Sequence, residues 1–203
     1  MNRLLLTLTA LSMVGVAHAA DTKIDIVNMG PAIAPVIRAS TDTPINYTGG
    51  TPGNIVGSLD GNDSTFNRPA GCGGLSAVGT AVAYDTVTFT NTTATNATVN
   101  VRIGAAGNPT AACPSATGPD TYLVMYSGSF NPASPLANCT LTNDDADGAG
   151  GDFCSALAAI AIPAGAVRVF VLTAFDNPPT GLFNYEVTFA GTTPVALQKF
   201  SVD

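Results

Sequence analysis

The residues best suited to chemistry lie in the stretch NDDADGAGGDF, at positions 143–153. Four of them follow the spacing N-x-D-x-D-G, which also begins the EF-hand calcium loop: Asn143, Asp145, Asp147 and Gly148. Calcium takes about six to eight oxygen ligands, and alternate side chains of a tight turn can bring their oxygens to one point. An EF-hand has a glutamate at its twelfth position, where this chain has Cys154, so Asp152 or Asp120 would have to supply the missing oxygen.

A turn without metal is the competing interpretation of this acidic stretch. Asp, Asn and Gly favour turns because their side chains cap backbone amides and their backbones tolerate tight geometry. Exposed like charges cost little in water and are screened by salt, so the density of aspartates does not decide the matter. Calcium is the one cofactor that the sequence suggests, and the choice between a calcium site and a solvated turn stays open.

Residues for catalysis are scarce. The only histidine is His18, which lies in a segment that we expect to be removed, so Ser-His-Asp catalysis is excluded. No spacing marks a carboxylate pair of the kind that hydrolyses glycosides. The formal net charge of −7 at pH 7 opposes binding to nucleic acid. We therefore predict that the protein is not an enzyme, has no catalytic residues and does not bind nucleic acid.

Residues 1–19 have the three parts of a secretory signal peptide. Arg3 gives the charged start, an apolar run follows from Leu4 to Val16, and the small residues before Ala20 fit a cleavage site. The run is shorter than the ~20 apolar residues that a membrane span requires. We expect an exported protein, secreted or associated with the cell surface, whose mature chain has no transmembrane span.

The remaining chain contains the four cysteines of the sequence: Cys72, Cys113, Cys139 and Cys154. An even number of cysteines in an exported chain predicts disulfides, because they persist in oxidising compartments. Three pairings are possible for four cysteines. We favour Cys72–Cys113 with Cys139–Cys154, since the second bond would close a short loop around the acidic stretch.

Several segments show the patterns of β-strands. Every second residue is apolar in LFNYEVTF (182–189), and ATVNVRI (97–103) repeats this alternation. AVAYDTVTF (81–89) changes phase, which predicts a β-bulge near Asp85. Three further segments are predicted as strands, the first two of them buried on both faces: TYLVMY (121–126), AVRVFVLTAF (166–175) and SALAAIAI (155–162).

Short strands separated by Gly, Pro, Asn and Asp predict an all-β fold, an antiparallel β-sandwich of jelly-roll-like type. We predict a single domain at residues 56–191. The proline-rich residues 20–55 are predicted as an N-terminal strand and linker, and residues 192–203 as a C-terminal strand or tail.

Five segments occur together in an order that resembles a known module: TFNRP (65–69), AVAYDTVTF, DTYLVMYSGSFNPASPLANC (120–139), NDD and AFDNPPTGLFNYEVTF (174–189). They are similar to the pre-peptidase C-terminal module of bacterial exported proteins, over about residues 58–190. The resemblance implies a non-catalytic β-sandwich, and some modules of this type bind calcium or collagen-like ligands. Here the module would be nearly the whole chain, so the resemblance implies a fold and a location more than an activity.

These observations together predict a protein that acts by binding or self-assembly, as a filament or matrix subunit. Its expected partners are its own copies or other surface or matrix proteins. The alternative is an adhesin-like carbohydrate- or collagen-binding module, which would show an exposed aromatic or polar patch on one sheet face.

Overall fold

The structure is a computed structural model that describes residues 37–38, 42–61, 63–108, 111–113, 120–147, 151–177 and 183–192. The strands in these ranges are β1 (Ile37–Arg38), β2 (Thr43–Tyr47), β3 (Gly53–Leu59), β4 (Thr65–Phe66), β5 (Val82–Asn91), β6 (Ala97–Ala105), β7 (Thr121–Ser127), β8 (Cys139–Asn143), β9 (Ala156–Ile162), β10 (Val167–Ala174) and β11 (Phe183–Thr192). The expected signal peptide, parts of the expected linker and residues 193–203 lie outside these ranges.

Two sheets contain these strands. The first has the order β1-β3-β11-β6-β9, and the second has the order β2-β5-β10-β7-β8, with β4 pairing on the start of β5. Pairing is antiparallel except between β1 and β3 and between β2 and β5. The sheets pack face to face without closing into a barrel, which confirms the predicted all-β sandwich. The described ranges contain no helix that is long and apolar enough to span a membrane.

Aromatic side chains form the centre of the core between the sheets. The ring of Phe89 packs against Tyr47, Phe170 and Phe189, at centroid distances of 5.3, 6.5 and 6.1 Å. All four side chains are buried. Because β2, β5, β10 and β11 each supply one ring, this contact joins both sheets through residues far apart in the sequence.

The outer face of the second sheet is also covered. A second apolar cluster lies there: Phe66, Val82, Tyr122, Val124, Tyr126, Val169 and Val171. The ring of Phe130, from the loop after β7, packs 4.8 Å from the ring of Tyr126. Strands β7 and β10 are therefore buried on both faces, as their unbroken apolar runs predict.

The predicted β-bulge near Asp85 is wrong. Strand β5 pairs with β10 in continuous register from Thr90 to Tyr84. The odd-numbered residues of β5 face the core between the sheets throughout, and the even-numbered Val82 belongs to the outer cluster. The apparent change of phase arises because both faces are covered at the start of the strand, and Asp85 points into the core.

The sandwich also begins earlier than predicted. The expected boundary at residue 56 lies inside β3, and β2 pairs with β5 although it contains Pro44. Within the described ranges, β2 is at the edge of its sheet, where a proline without an N–H group does not interrupt a ladder of hydrogen bonds. Part of the segment predicted as a linker is therefore built into the fold.

All four cysteines form disulfides, but the favoured pairing is wrong. The bonds are Cys72–Cys139 and Cys113–Cys154, with Cα–Cα distances of 5.3 and 5.1 Å. Cys139 begins β8 in one sheet, whereas Cys154 lies just before β9 in the other. Because β9 pairs with β6, Cys154 comes close to the segment that follows β6, which contains Cys113.

Candidate functional site

Three aspartates converge at one end of the second sheet. Asp120 lies just before β7, and Asp144 and Asp145 follow β8. Because β7 and β8 are antiparallel, the start of one strand lies beside the end of the other. One carboxylate oxygen from each of the three residues lies within 4.8 Å of the others. We call this group the acidic cluster.

Two oxygens of the acidic cluster lack the partners that buried oxygens normally have. Oδ1 of Asp120 and Oδ1 of Asp144 are buried and accept no hydrogen bond from the part of the chain that the structure describes. Burial, and then the neighbouring carboxylates, raise the pKa of each of these two residues to about 6. A divalent cation would relieve both effects, because it would ligate the oxygens and offset the repulsion.

The residues predicted as calcium ligands are only partly brought together. Asp120 and Asp145 are in the acidic cluster, and Asp144, between the predicted positions, joins them. Asn143 has another task, since its Oδ1 accepts a hydrogen bond of 2.7 Å from the backbone N of Ala156 at the start of β9. Asp147 is exposed and lies outside the cluster.

Asp152, also a predicted ligand, holds the Cys113–Cys154 disulfide in place instead. Its carboxylate accepts hydrogen bonds from the backbone N of Cys113 and Cys154, at 2.8 and 3.1 Å. It also forms an ion pair with Arg102. Burial opposes ionisation of Asp152, but these hydrogen bonds outweigh that effect and lower its pKa. Both cysteines nearby are oxidised, so their sulfurs are not available as thiolate ligands.

A groove of about 650 Å³ adjoins the acidic cluster. Its lining comes from the 68–79 segment, the strands beneath it and the end of β8: Arg68, Ala70, Gly71, Ser76, Ala77, Val78, Tyr122, Thr142, Asn143, Asp144, Asp145 and Phe175. One side is thus mainly small or apolar, and the other side carries two aspartates.

Arg68 fixes the base of this groove. Its side chain is buried between two rings, with the guanidinium carbon 3.8 Å from the centroid of Tyr122 and 4.6 Å from that of Phe175. Its Nε donates to the carbonyl oxygen of Phe175 at 2.6 Å, and its Nη1 donates to that of Pro69 at 3.0 Å. Arg68 makes no ion pair with a carboxylate in the described ranges, so its contacts hold the segment onto the sheet.

Several large apolar side chains are exposed near the Cys72–Cys139 disulfide in the sequence. The large apolar residues that are exposed in the described ranges are Leu75, Val78, Leu136 and Leu141, at 48, 49, 37 and 41%. Each lies within six residues of Cys72 or Cys139 in the sequence, and these cysteines are bonded to each other. We call Leu75, Val78 and Leu136 the disulfide patch, and Val78 also lines the groove. Leu141 is separate from this patch, because it pairs with Met125, whose side chain faces the core between the sheets, so Leu141 is on the face opposite to the groove.

A second, smaller groove of about 370 Å³ lies on the outer face of the same sheet. Tyr84 and Phe130 line it, with ring centroids 5.2 Å apart. Asp42 lies beside them, and its Oδ1 accepts hydrogen bonds from the hydroxyls of Thr86 and Thr88, at 2.9 and 3.0 Å. We call this the aromatic groove.

Comparisons with known proteins identify no family for this chain. No protein-family model matches it, and no curated protein is significantly similar in sequence. Among solved structures, it is similar to PliG of Aeromonas hydrophila, a periplasmic inhibitor of g-type lysozyme, with 14% identity and a TM-score of 0.38 over 76% of this chain and 99% of that one. It is also similar to the pre-peptidase C-terminal domain of a collagenase from Bacillus anthracis, with 15% identity and a TM-score of 0.37 over 78% of this chain and 99% of that one.

The second of these structures belongs to the class of module that the sequence resembles. At such TM-scores, neither similarity carries a conclusion about what this protein does. The β-sandwich assignment rests on the strand pairing of the chain itself.

Sequence reasoning missed three features of the site. The N-x-D-x-D-G pattern does not predict Asp144, because it counts only alternate residues. The burial of Arg68 between two rings joins residues over a hundred positions apart, which no local pattern reveals. The disulfide patch follows from the Cys72–Cys139 bond, and only the correct pairing could have located it.

Proposed function

We propose that this protein is a non-catalytic, exported scaffold that acts by contact, chiefly with further copies of itself. One observation carries the proposal. The large exposed apolar side chains of the described ranges all lie within six residues of one disulfide in the sequence, and Val78 among them lines a groove of about 650 Å³. Apolar side chains that gather at one place on an otherwise polar surface are characteristic of interaction sites.

The groove is suited to binding because its walls are fixed. The Cys72–Cys139 bond ties the 68–79 segment to β8, and Arg68 ties the same segment to Phe175. A rigid surface loses little conformational entropy when a partner binds, so more of the contact energy is left for affinity. Disulfides are also typical of proteins that work outside the cytoplasm.

Self-association is tested by sedimentation velocity on the protein without residues 1–19, over a range of concentrations. We expect the average mass to rise with concentration. The variant Val78→Asp places a charge in the groove and should reduce this rise. The matched control is Ala158→Asp, which places the same charge on an exposed position of β9 at the edge of the other sheet.

Within this proposal, Ca²⁺ binds at the acidic cluster and stabilises the rim of the groove. The support is the convergence of three carboxylates together with the two buried oxygens that lack partners. Asp120, Asp144 and Asp145 would supply the ligand oxygens, and backbone carbonyls and water would complete the shell. Bound calcium would hold the loop after β8 against the start of β7.

Calcium is expected to raise the melting temperature. Extracellular calcium modules have dissociation constants of about 10⁻⁴–10⁻³ M, so 10 mM calcium would stabilise the native state by about 1.4–2.7 kcal/mol. For a domain of this size that corresponds to a rise of roughly 3–10 °C over the protein in EDTA. Asp144→Asn should abolish the rise, and Asp42→Asn, outside the cluster, should keep it. Equal melting temperatures in calcium, magnesium and EDTA would contradict the site.

The calcium effect should also depend on pH. Asp120 and Asp144 have raised pKa values of about 6, so both are largely protonated at pH 5 and ionised at pH 8. A protonated carboxyl is a poor calcium ligand. We therefore expect a clear rise in melting temperature at pH 8 and a much smaller one at pH 5. A rise of the same size at both values would show that calcium binds elsewhere.

The aromatic groove favours a second candidate function, the binding of carbohydrate. Aromatic rings beside fixed hydroxyl and carboxylate groups suit the apolar face and the hydroxyls of a sugar. This groove has such a composition through Tyr84, Asp42 and Thr88. A glycan array probed with the wild type and with Asp42→Asn tests it, and an array without hits would dismiss it.

A further inference from the structure

We propose that the groove and the disulfide patch receive residues 195–200, VALQKF, from a second copy of this chain. This inference rests on the proposed function and names the contact that self-association would use. It makes assembly head-to-tail, because the donor segment follows β11 in the sequence, and β11 ends at the end of the sandwich opposite to the receiving surface.

The strand register places the two ends. Strand β11 ends at Thr192, which pairs with Thr98 near the start of β6. The end of β5 lies at this same end of the sandwich, because only residues 92–96 connect it to β6. Strand β10 is antiparallel to β5, so it begins here and runs away to Ala174 at the far end. Phe175, in the groove lining, follows Ala174 directly.

The length of the chain after β11 decides whether residues 195–200 can reach the groove of their own molecule or only that of a second copy. Lys199 is seven residues beyond Thr192, and seven residues span at most about 25 Å. The eight residues of β10 alone cover about 23 Å, and packed sheets are about 10 Å apart. The groove is on the outer face of the sheet that does not contain β11. Residues 193–199 are thus too short to reach from Thr192 to the groove of the same molecule. The groove of a second copy can lie closer to them, so the same length is sufficient there.

The chemistry of the segment matches that of the surface. In an extended conformation, Val195, Leu197 and Lys199 share one face. Val195 and Leu197 would pack on the apolar wall at Val78. The ammonium group that follows them in the segment would then lie near the carboxylate of Asp145 at the acidic end. The three carboxylates of the acidic cluster outnumber the single positive charge of Arg68 in the groove lining, so the net charge at this end favours lysine when calcium is absent.

Strand β8 offers a place for the backbone of the segment. It is the last strand on its side of the second sheet in the described ranges, and Leu141 is exposed on it. An extended segment can add to such an edge through main-chain hydrogen bonds, while its side chains select the site. One donor end and one receiving end per molecule give chains of subunits that grow beyond the dimer, and these chains stay open unless the rotation between neighbours closes a ring.

A mixing experiment with full-length mature protein tests the inference. The donor variant Leu197→Asp/Lys199→Asp has an altered segment and an intact groove. The receiver variant Val78→Asp has an intact segment and an altered groove. We expect each variant alone to stay monomeric where the wild type associates. We expect an equal mixture of the two to form dimers and nothing longer, because only one contact per pair can form.

Sedimentation velocity with and without 10 mM calcium measures these masses, and melting curves confirm that each variant is folded. Ala158→Asp, the matched control, should associate like the wild type. A mixture that stays monomeric would overturn the inference. If both variants associate as the wild type does, the proposed contact between the tail and the groove is wrong, whereas self-association itself is still supported. A wild type that is monomeric at every concentration would instead remove the proposed function.

Discussion

The variant Asp85→Asn is expected to keep about half of the stability that the wild-type protein loses between pH 5 and pH 8. Asp85 is fully buried in the core between the sheets. Its Oδ2 accepts a hydrogen bond of 2.7 Å from the hydroxyl of Tyr185, and its Oδ1 has no hydrogen-bond partner in the described ranges. Burial raises the pKa of this carboxyl to about 7, partly opposed by the Tyr185 hydrogen bond and reinforced by Asp63 and Asp60.

The sign of the pH effect follows from proton binding. In the unfolded chain an aspartate has a pKa of about 3.9, so it loses its proton well below the point at which the folded protein does. Between these values the folded state binds more protons, and stability falls as pH rises. A difference of about three in pKa corresponds to a total loss of about 4 kcal/mol between about pH 4 and pH 7, of which about 3 kcal/mol falls above pH 5.

Asparagine has nearly the shape of a protonated aspartic acid and cannot ionise. The variant should therefore remove the contribution of Asp85, whereas the smaller contributions of Asp120 and Asp144 remain. Chemical denaturation at pH 5 and pH 8 measures the free energy of unfolding of both proteins. Asp42→Asn, an exposed aspartate on the same sheet, is the control and should behave as the wild type. An Asp85→Asn variant that loses as much stability as the wild type would contradict this account of Asp85.

Removal of the Cys113–Cys154 disulfide is expected to have a comparable effect on stability. The double variant Cys113→Ala/Cys154→Ala should lose about 4 kcal/mol of unfolding free energy on a chain-entropy basis, because the bond closes a loop with a sequence separation of 41. Both cysteines are buried, and Asp152 receives hydrogen bonds from their backbone amides. Denaturation curves for the oxidised wild type and the double variant measure the difference.

Single variants test the pairing independently of stability. Cys113→Ala should leave one thiol that reacts with a labelling reagent in denaturant, and peptide mass mapping should find the label on Cys154. Cys72→Ala, the matched control, should free Cys139. Label on Cys72 in the Cys113→Ala variant would instead indicate the Cys72–Cys113 bond that the sequence favoured, and it would contradict the structure.

The strands were predictable because their patterns are local. The alternation around Tyr185 and the unbroken apolar runs of β7 and β10 record which faces are buried, and the structure confirms them. The predictions that were wrong depend on contacts between residues that are far apart in the sequence. The change of phase around Asp85 predicts a bulge, but both faces of the strand are covered there, and Asp85 is buried against Tyr185, a hundred residues away in the sequence.

The candidate site shows the same division. The sequence marked Asp120 and Asp145 through an oxygen-rich turn, but it could not show that β7 and β8 bring Asp144 into the cluster. Asp152 seemed equivalent to its neighbours, yet its oxygens are taken by Arg102 and by two backbone amides. Ligand geometry depends on which oxygens remain after the fold has used the others, and a linear pattern does not contain that information.

Sedimentation velocity of the unaltered mature protein is the most direct test of the claim that it acts by contact with its own copies. We expect the average mass to rise steadily with protein concentration, with oligomers larger than the dimer at the highest concentrations. One species of monomer mass at every concentration, both with calcium and in EDTA, would contradict it.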